Sequence, residues 1–230
     1  MAISSISYMQ EHRGNLYHIP HHSPRIMSNP HEEEARRRVA RILALFAAQG
    51  NSDYVGEAVS QLAHATQGAK CAISTGADER VVIAALLHDV GHMIALNTPG
   101  AAFMGDCGAV NHEVIGALFL RECGLPALTC DLVQQHVDAK RYLVWKNPAY
   151  KLSPASRTTL MHQGGPMTDE QAAAFEANPL FALQLKMRTW DEAAKVKDMV
   201  VPGLEAYVEI MERLVAAELT HKEQATAQAC

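Results

Sequence analysis

The sequence predicts an all-α protein that folds as a single domain of about eight to ten helices. Its 230 residues are 48% hydrophobic, which is enough to bury one core without disulfides or an obligatory partner. Apolar residues recur at helical spacing, and helix start and stop signals follow one another along most of the chain. Alternating strand patterns and Asn-Gly hairpin signals are essentially absent from the sequence.

Helix start and stop signals define the bounds of the expected domain. Residues 1–28 carry Ser, Pro and His without helical periodicity, and they predict an irregular N-terminal extension. Asn29-Pro30 is a typical helix start, so the domain is expected over residues 29–222, followed by a flexible tail over 223–230.

The first helix is expected to end at Gly50, and the second to run from Ser52 or Asp53 to about Ser74. Asp78 caps a third helix, whose run Val81–Leu87 is apolar on every side and therefore predicted to be buried. A loop rich in Gly and Ala is expected over 97–110. Helical patterns resume at about 111–123, 126–145, 153–161, 168–177, 179–197 and 203–220.

The composition indicates which partners and which cellular compartment to expect. The net charge of −5 and the lack of Lys/Arg runs argue against a nucleic-acid partner or a polybasic membrane surface. The five cysteines are odd in number and show no CxxC spacing, as expected for free thiols in a reducing compartment. The sequence contains no run of about 18 apolar residues, which a membrane-spanning helix would need. Its first residues do not show the pattern of a signal peptide. We therefore expect a cytoplasmic monomer or small homo-oligomer.

Polar residues recur in segments that otherwise predict a buried core. In the second predicted helix they fall on one face, and His88-Asp89 closes the most apolar run in the chain. Later pairs are spaced four residues apart, which also places them on one helical face. Grouped by predicted helix, these residues are Tyr54, Glu57, Gln61 and His64; His88, Asp89 and His92; His112; His136 and Lys140; and Gln184, Arg188 and Asp191.

Each of these residues has an ordinary structural explanation when it is taken alone. A buried His is more often hydrogen-bonded than ligated, and Arg188 with Asp191 has the spacing of a surface ion pair. Taken together, an aspartate and several imidazoles among Val, Ile and Leu are costly to bury unless a cation pairs with them. Four imidazoles and two carboxylates exceed the needs of one tetrahedral zinc and predict two metals that share a carboxylate. The candidate ligands are His64, His88, Asp89, His112, His136 and Asp191.

At these residues the chain resembles the HD superfamily and, within it, the mixed-valent diiron oxygenases that cleave (1-hydroxy-2-aminoethyl)phosphonate. The similarity covers roughly residues 51–196. It rests on Asp53-Tyr54, Gly56-Glu57, Ala84–His92 (AALLHDVGH), His136 with Ala139–Leu143, Ser156-Arg157, Gln163–Met167 (QGGPM), Pro179–Leu183 (PLFAL), Arg188, Trp190–Ala193 and Lys195.

The resemblance implies an all-α fold and two iron ions in the Fe(II)/Fe(III) state, held by the six candidate ligands with Asp89 as the bridge. It implies that the phosphonate is bound by His92, Lys140, Ser156 and Arg188, with Gln163 close by. It also implies that Tyr54 and Glu57 face the rest of the substrate. In the relatives, the Tyr can occupy an iron position and leaves when substrate arrives, and the Glu meets the substrate amine. Tyr54, Glu57 and His92 are accordingly the candidate catalytic residues.

The implied reaction uses O2 to cleave the C–P bond of a small 1-hydroxyphosphonate. The expected substrate is (R)-(1-hydroxy-2-aminoethyl)phosphonate, with glycine and phosphate as products. An HD-type phosphohydrolase would also need His-Asp and basic residues, but His112, His136 and the Tyr54/Glu57 pair favour oxygenation. A binding or regulatory module without activity would be expected to lack one or more ligands. The same diiron chemistry on a trimethylammonium, amine-free or polyol substrate stays open.

Overall fold

The computed structural model describes residues 29–54 and 56–229, so the predicted extension 1–28 lies outside the described residues. This part of the chain forms ten α-helices, one short 3-10 helix and two isolated β-bridges. The all-α fold and the predicted number of helices are confirmed. The α-helices are α1 (Pro30–Gln49), α2 (Gln61–Ser74), α3 (Glu79–Leu87), α4 (Val90–Leu96), α5 (His112–Glu122), α6 (Ala127–Lys146), α7 (Pro154–His162), α8 (Asp169–Glu176), α9 (Phe181–Ala193) and α10 (Val208–Ala229), with the 3-10 helix at Leu204–Tyr207.

Helix α3 forms the centre of the core. Every residue of Val81–Leu87 is at most 3% exposed, and the helix packs against α2 and α6. Burying each large apolar side chain of this kind contributes roughly 1.5–3 kcal/mol, so the run anchors the helix firmly. The last buried turn leads directly into His88 and Asp89, which places both residues deep in the protein.

Helices α4 and α5 cross with their backbones in contact at Gly91. A Cβ atom on Gly91 would lie 1.9 Å from the carbonyl oxygen of His112, so a larger residue cannot occupy this position without moving a helix. This close crossing brings His92 of α4 beside His112, the first residue of α5.

Three predicted boundaries were wrong, one of them the end of α9, which stops at Ala193 and not at about residue 197. Helix α2 begins at Gln61, because Ser60 caps it by accepting a 3.1 Å hydrogen bond from the backbone of Ala63. The preceding segment is an irregular turn, closed by the backbone hydrogen bond from Tyr54 to Val59, so Tyr54 and Glu57 lie on this turn and not on the helix. At the other end of the chain, α10 continues to Ala229, and residues 223–229 are helical where a flexible tail was expected.

Other predictions hold in detail. Asn29 and Asp78 accept backbone hydrogen bonds as N-caps, and Thr168 with Gln171 forms a capping box. The four cysteines within the described residues carry free thiols. Within residues 29–54 and 56–229, no helix combines the length and apolar character needed to cross a membrane.

Candidate metal centre and substrate pocket

The six predicted metal ligands converge at the centre of the helical domain, and none is more than 8% exposed. They come from four helices and from the junction of α3 and α4, where the chain breaks at His88-Asp89. The structure brings them all together: His64, His88, Asp89, His112, His136 and Asp191.

The four histidines form two pairs around Asp89. The Nε2 atoms of His64 and His88 are 3.1 Å apart, and those of His112 and His136 are 3.2 Å apart. Asp89 Oδ2 lies 3.5 and 3.3 Å from the first pair, while Oδ1 lies 3.3 and 3.4 Å from the second pair. Each oxygen of one carboxylate therefore faces one pair of imidazoles, which is the arrangement expected for a carboxylate that bridges two metals.

Asp191 adds a second carboxylate to one side only. Its Oδ1 lies 3.5 Å from His64 Nε2 and 3.9 Å from His88 Nε2, and this buried oxygen has no hydrogen-bond partner. Its Oδ2 accepts a hydrogen bond from Arg188. We call the His64/His88/Asp191 side the first position and the His112/His136 side the second position.

The histidine hydrogen bonds identify which ring nitrogen faces the centre. In three of the four rings, Nδ1 lies within hydrogen-bond distance of a backbone carbonyl, which can only accept, so Nδ1 carries the proton and Nε2 of the neutral ring is a free lone pair. The three contacts are His64 to Ala194 at 2.9 Å, His88 to Ala85 at 2.9 Å and His136 to Val133 at 2.7 Å. Converging lone pairs and an unpartnered carboxylate oxygen repel one another unless a cation lies between them. The donor set therefore fits two divalent or trivalent metal ions.

The electrostatics also favour positive charge at this centre. Although burial opposes protonation, the neighbouring Asp89 raises the pKa of His88 to about 9. Burial alone would raise the pKa of Asp191, yet Arg188 and the histidines hold it below its ordinary value. The cluster thus keeps its carboxylates ionised and attracts either protons or metal ions.

A small cavity of about 50 Å³ opens beside the cluster. Its wall contains all seven residues that the sequence assigned to substrate binding, together with four of the six candidate ligands. The seven are Tyr54, Glu57, His92, Lys140, Ser156, Gln163 and Arg188. Gln184 shares a predicted helix face with Arg188, but it does not line the cavity and instead donates a hydrogen bond to Gln135.

Lys140 and Arg188 are two of the three Lys or Arg side chains that line the cavity among the described residues, and Lys195 is the third. Burial and the nearby Arg188 lower the pKa of Lys140 to about 8, and the Lys140 ammonium donates a 2.8 Å hydrogen bond to Thr159. Burial opposes the charge on Arg188, but Asp191 and Glu192 keep its pKa above the ordinary value, so the guanidinium stays charged. Arg188 also donates to Ser156 Oγ at 3.3 Å.

His92 presents a neutral donor to the same cavity. Its Nδ1 accepts a 3.0 Å hydrogen bond from the backbone of Ala109, so Nε2 of the neutral ring carries the proton. Burial, together with the neighbouring His112 imidazole, holds the pKa of His92 well below its ordinary value. The loop fits closely around this ring, because a Cβ atom on Gly108 would lie 2.5 Å from His92 Cε1, and Gly108 has a φ of +90°.

Tyr54 and Glu57 enter from the turn before α2. The Tyr54 ring stacks on His64 with centroids 3.9 Å apart, and burial together with Asp89 raises the pKa of its phenol. Glu57 Oε1 lies 3.5 Å from the ammonium of Lys195. Lys195 also lines the cavity; it is one of the residues on which the resemblance rests, but no role was predicted for it. Lys195 lies two residues beyond the end of α9, and its position in the Trp190–Lys195 block that carries the resemblance was the signal that could have identified it. Cys107 and Thr159 also line the cavity and were not predicted.

Comparisons with known proteins agree with this geometry. The family model for the HD domain matches residues 34–178. An uncharacterized protein of Acanthamoeba polyphaga mimivirus is 39% identical over 80% of this chain and 84% of its own length. The [1-hydroxy-2-(trimethylamino)ethyl]phosphonate dioxygenase (glycine-betaine-forming) of Leisingera caerulea is 37% identical over 82% of this chain and 97% of its own. The hydroxymethylphosphonate dioxygenase of Gimesia maris is 39% identical over 74% of this chain and 84% of its own. The chain therefore belongs to the HD-domain family and, within it, to the family of these dioxygenases.

Proposed function

We propose that this protein uses two iron ions and O2 to cleave the C–P bond of a small 1-hydroxyphosphonate. The observation that carries the proposal is the shared carboxylate of Asp89, with one histidine pair at each oxygen, beside a cavity that contains Lys140 and Arg188. Two relatives that cover most of the chain are named as phosphonate dioxygenases, which supports the same reaction class here.

The residues of each position have distinct roles in holding iron. His64, His88 and Asp191 would hold the first ion and His112 with His136 the second, while Asp89 would contact both. When bound, the iron pair supplies the O2 binding and the one-electron steps that amino-acid side chains do not provide. The protein supplies the geometry, the charge and a site whose candidate ligands are buried.

The wall of the cavity suits a phosphonate dianion. Lys140 and Arg188 provide two positive charges, and Ser156 and His92 provide neutral donors. Arginine offers a planar pair of N–H groups that matches two phosphonate oxygens, which is stronger and more directional than a single charge. Gln163 lies in the same wall.

The size of the cavity limits the substrate. A volume of about 50 Å³ is far below the roughly 300–1,000 Å³ of pockets that hold drug-sized ligands. This volume suits a phosphonate with a few further heavy atoms better than a nucleotide, once Tyr54 moves aside. We infer that the small volume excludes water during the reaction and that the protonated Tyr54 covers the first position until substrate binds.

The reaction balances without another reactant. The C1 carbon of (R)-(1-hydroxy-2-aminoethyl)phosphonate loses its hydrogen and its bond to phosphorus and becomes a carboxylate, while phosphorus leaves as phosphate. The carbon is oxidised, O2 is reduced, and the atoms of substrate and O2 together make up glycine and phosphate. The chain's part is to hold the phosphonate with Lys140 and Arg188 so that C1 faces the metal positions.

The far end of the substrate is expected at Glu57. The Lys195 ammonium lies 3.5 Å from this carboxylate, so a substrate amine would take over the position of Lys195. A trimethylammonium group is usually held by several aromatic faces, and among the described residues that line the cavity Tyr54 is the sole Phe, Tyr or Trp. We therefore propose the aminoethyl compound as substrate, with hydroxymethylphosphonate as the second candidate because a relative is named for it.

Aerobic incubation of the iron-loaded protein with three hydroxyphosphonates tests the proposal. The three are (1-hydroxy-2-aminoethyl)phosphonate, its trimethylamino counterpart and hydroxymethylphosphonate, which has no amine. The readouts are phosphate release and O2 uptake. The proposal requires O2-dependent phosphate release from at least one of them, with the aminoethyl compound preferred. Phosphate release from simple phosphate esters without O2 would instead establish a phosphohydrolase.

A further inference from the structure

His112 differs from the other three histidines at its outer nitrogen. Its Nδ1 has no hydrogen-bond partner, whereas the other rings contact backbone carbonyls. Glu113 Oε2 lies 3.5 Å from this nitrogen, and this carboxylate oxygen is itself buried without a hydrogen-bond partner. Two complementary groups, both unsatisfied, therefore face each other just behind the second metal position.

We propose that Glu113 is a positioning residue that accepts the Nδ1 proton of His112 and thereby supports the metal at the second position. The inference rests on the proposed metal pair. A movement of about 0.5–0.7 Å would bring the two atoms to hydrogen-bond distance. The bond would fix the tautomer whose Nε2 lone pair faces the centre, and a carboxylate partner makes an imidazole a stronger ligand.

The charges of the two positions explain why a carboxylate is needed here. The first position has Asp191 in addition to its share of Asp89, whereas the second has only its share of Asp89 among the described residues. Glu113 would supply the missing negative charge from behind the ring. Its effect should therefore be confined to the second position.

Arg141, the one Arg or Lys among the described residues that border a second cavity with Glu113, is already engaged. This cavity has a volume of about 340 Å³. Arg141 donates to Asp138, to the backbone of Gly165 and to Gln171, so its guanidinium is held away by three other acceptors. Glu113 also lies in the first turn of α5, where an acidic residue favours the helix. Stabilising the helix would affect metal binding at both positions alike. A measurement of the affinity at each position therefore distinguishes this structural role from the proposed support of the second position.

The experiment compares Glu113→Gln and Glu113→Ala with Glu122→Gln, an exposed carboxylate at the other end of the same helix. Anaerobic titration of the full-length protein with Fe(II) gives the affinity of each of the two equivalents. Partial oxidation followed by electron paramagnetic resonance reports the coupled Fe(II)/Fe(III) pair. Thermal melting of the metal-free proteins checks that each variant folds.

We expect Glu113→Ala to bind the second Fe(II) about 10–100-fold more weakly, with the first unchanged and the coupled signal largely lost. Glu113→Gln keeps an acceptor without the charge and should fall between Ala and wild type, so it decides the question if the Ala variant does not fold. Equal binding of both equivalents by Glu113→Gln and wild type would overturn the proposal, as would an equal weakening of both positions. Because the titration does not depend on turnover, it tests Glu113 even if the proposed reaction fails.

Discussion

At the residue scale, Asp89 contributes to both metal positions, because each of its oxygens faces a different histidine pair. Every other candidate ligand contributes to one position only. Asp89→Ala should therefore remove both metals, and the loss of affinity should exceed the roughly 10–100-fold cost of losing an outer hydrogen bond.

Iron content per chain after reconstitution is the measurement. Asp131→Asn, which changes a half-exposed aspartate paired with Arg121, is the matched control and should keep wild-type iron content. Retention of one tightly bound iron in Asp89→Ala would show that the carboxylate is not shared.

Lys195 offers a prediction about substrate preference. Replacing it by Met leaves the buried Glu57 carboxylate without its cation. Binding of a substrate that carries an ammonium group is then favoured over binding of one that does not. The ratio of kcat/KM for the aminoethyl compound to that for hydroxymethylphosphonate should rise on the order of tenfold. Lys197→Met, at an exposed position two residues away, should leave the ratio unchanged. An equal fall for both substrates would instead mean that Lys195 binds the phosphonate through Ser156, to which it donates at 3.3 Å.

The pKa of Lys140 predicts how the free enzyme responds to pH. Burial and Arg188 lower this pKa to about 8, so the ammonium is charged below pH 8 and loses its proton as the pH rises through that value. Because the free enzyme then has one positive charge fewer for the phosphonate, kcat/KM should decline above about pH 8. Lys140→Arg should keep its charge and move the decline to higher pH. An unchanged alkaline limb in that variant would assign the ionisation to another group.

At the element scale, the crossing of α4 and α5 sets the distance between His92 and His112. Gly91→Ala would press a methyl group against the backbone of His112 and should destabilise the protein by about 1–3 kcal/mol. Urea unfolding of the metal-free protein measures the change. In the control Gly105→Ala the added methyl meets no atom within 4 Å, so only the strain of a positive φ remains, about 1 kcal/mol. Equal losses in both variants would show that the crossing tolerates a larger residue.

The elements also show what the sequence could predict. Caps such as Asn29 and Asp78, and the apolar run Val81–Leu87, are local signals, and the structure agrees with them. The start of α2 was placed too early because Ser52, Asp53 and Ser60 are all good capping residues, and only the tertiary turn around Tyr54 selects the last one.

At the scale of the whole molecule, the candidate ligands join segments that are distant in the chain, from α2 to α9. The sequence predicted this convergence because buried His and Asp residues need a shared cation. It did not predict the roles of Lys195 or Glu113, since each role depends on a side-chain contact. Lys195 lies beside Glu57 in the pocket, and Glu113 lies beside Nδ1 of the His112 ring.

A metal centre of this kind should stabilise the entire domain. Iron that binds only the folded state adds about 4 kcal/mol at a thousandfold excess over its Kd, which corresponds to an increase in Tm on the order of 10 °C for a chain of this size. Differential scanning fluorimetry under anaerobic conditions, with and without Fe(II), measures the shift. Asp89→Ala should show almost none, and an equal shift in that variant would place the stabilising metal elsewhere.

We propose that the metal pair and the cationic pocket together carry out an oxygenation of a hydroxyphosphonate. The most direct test follows O2 consumption and phosphate release at the same time, with iron-loaded protein and (R)-(1-hydroxy-2-aminoethyl)phosphonate. We expect equal amounts of O2 consumed and phosphate released, and no phosphate when O2 is removed. Phosphate release that continues at the same rate without O2 would contradict the proposal.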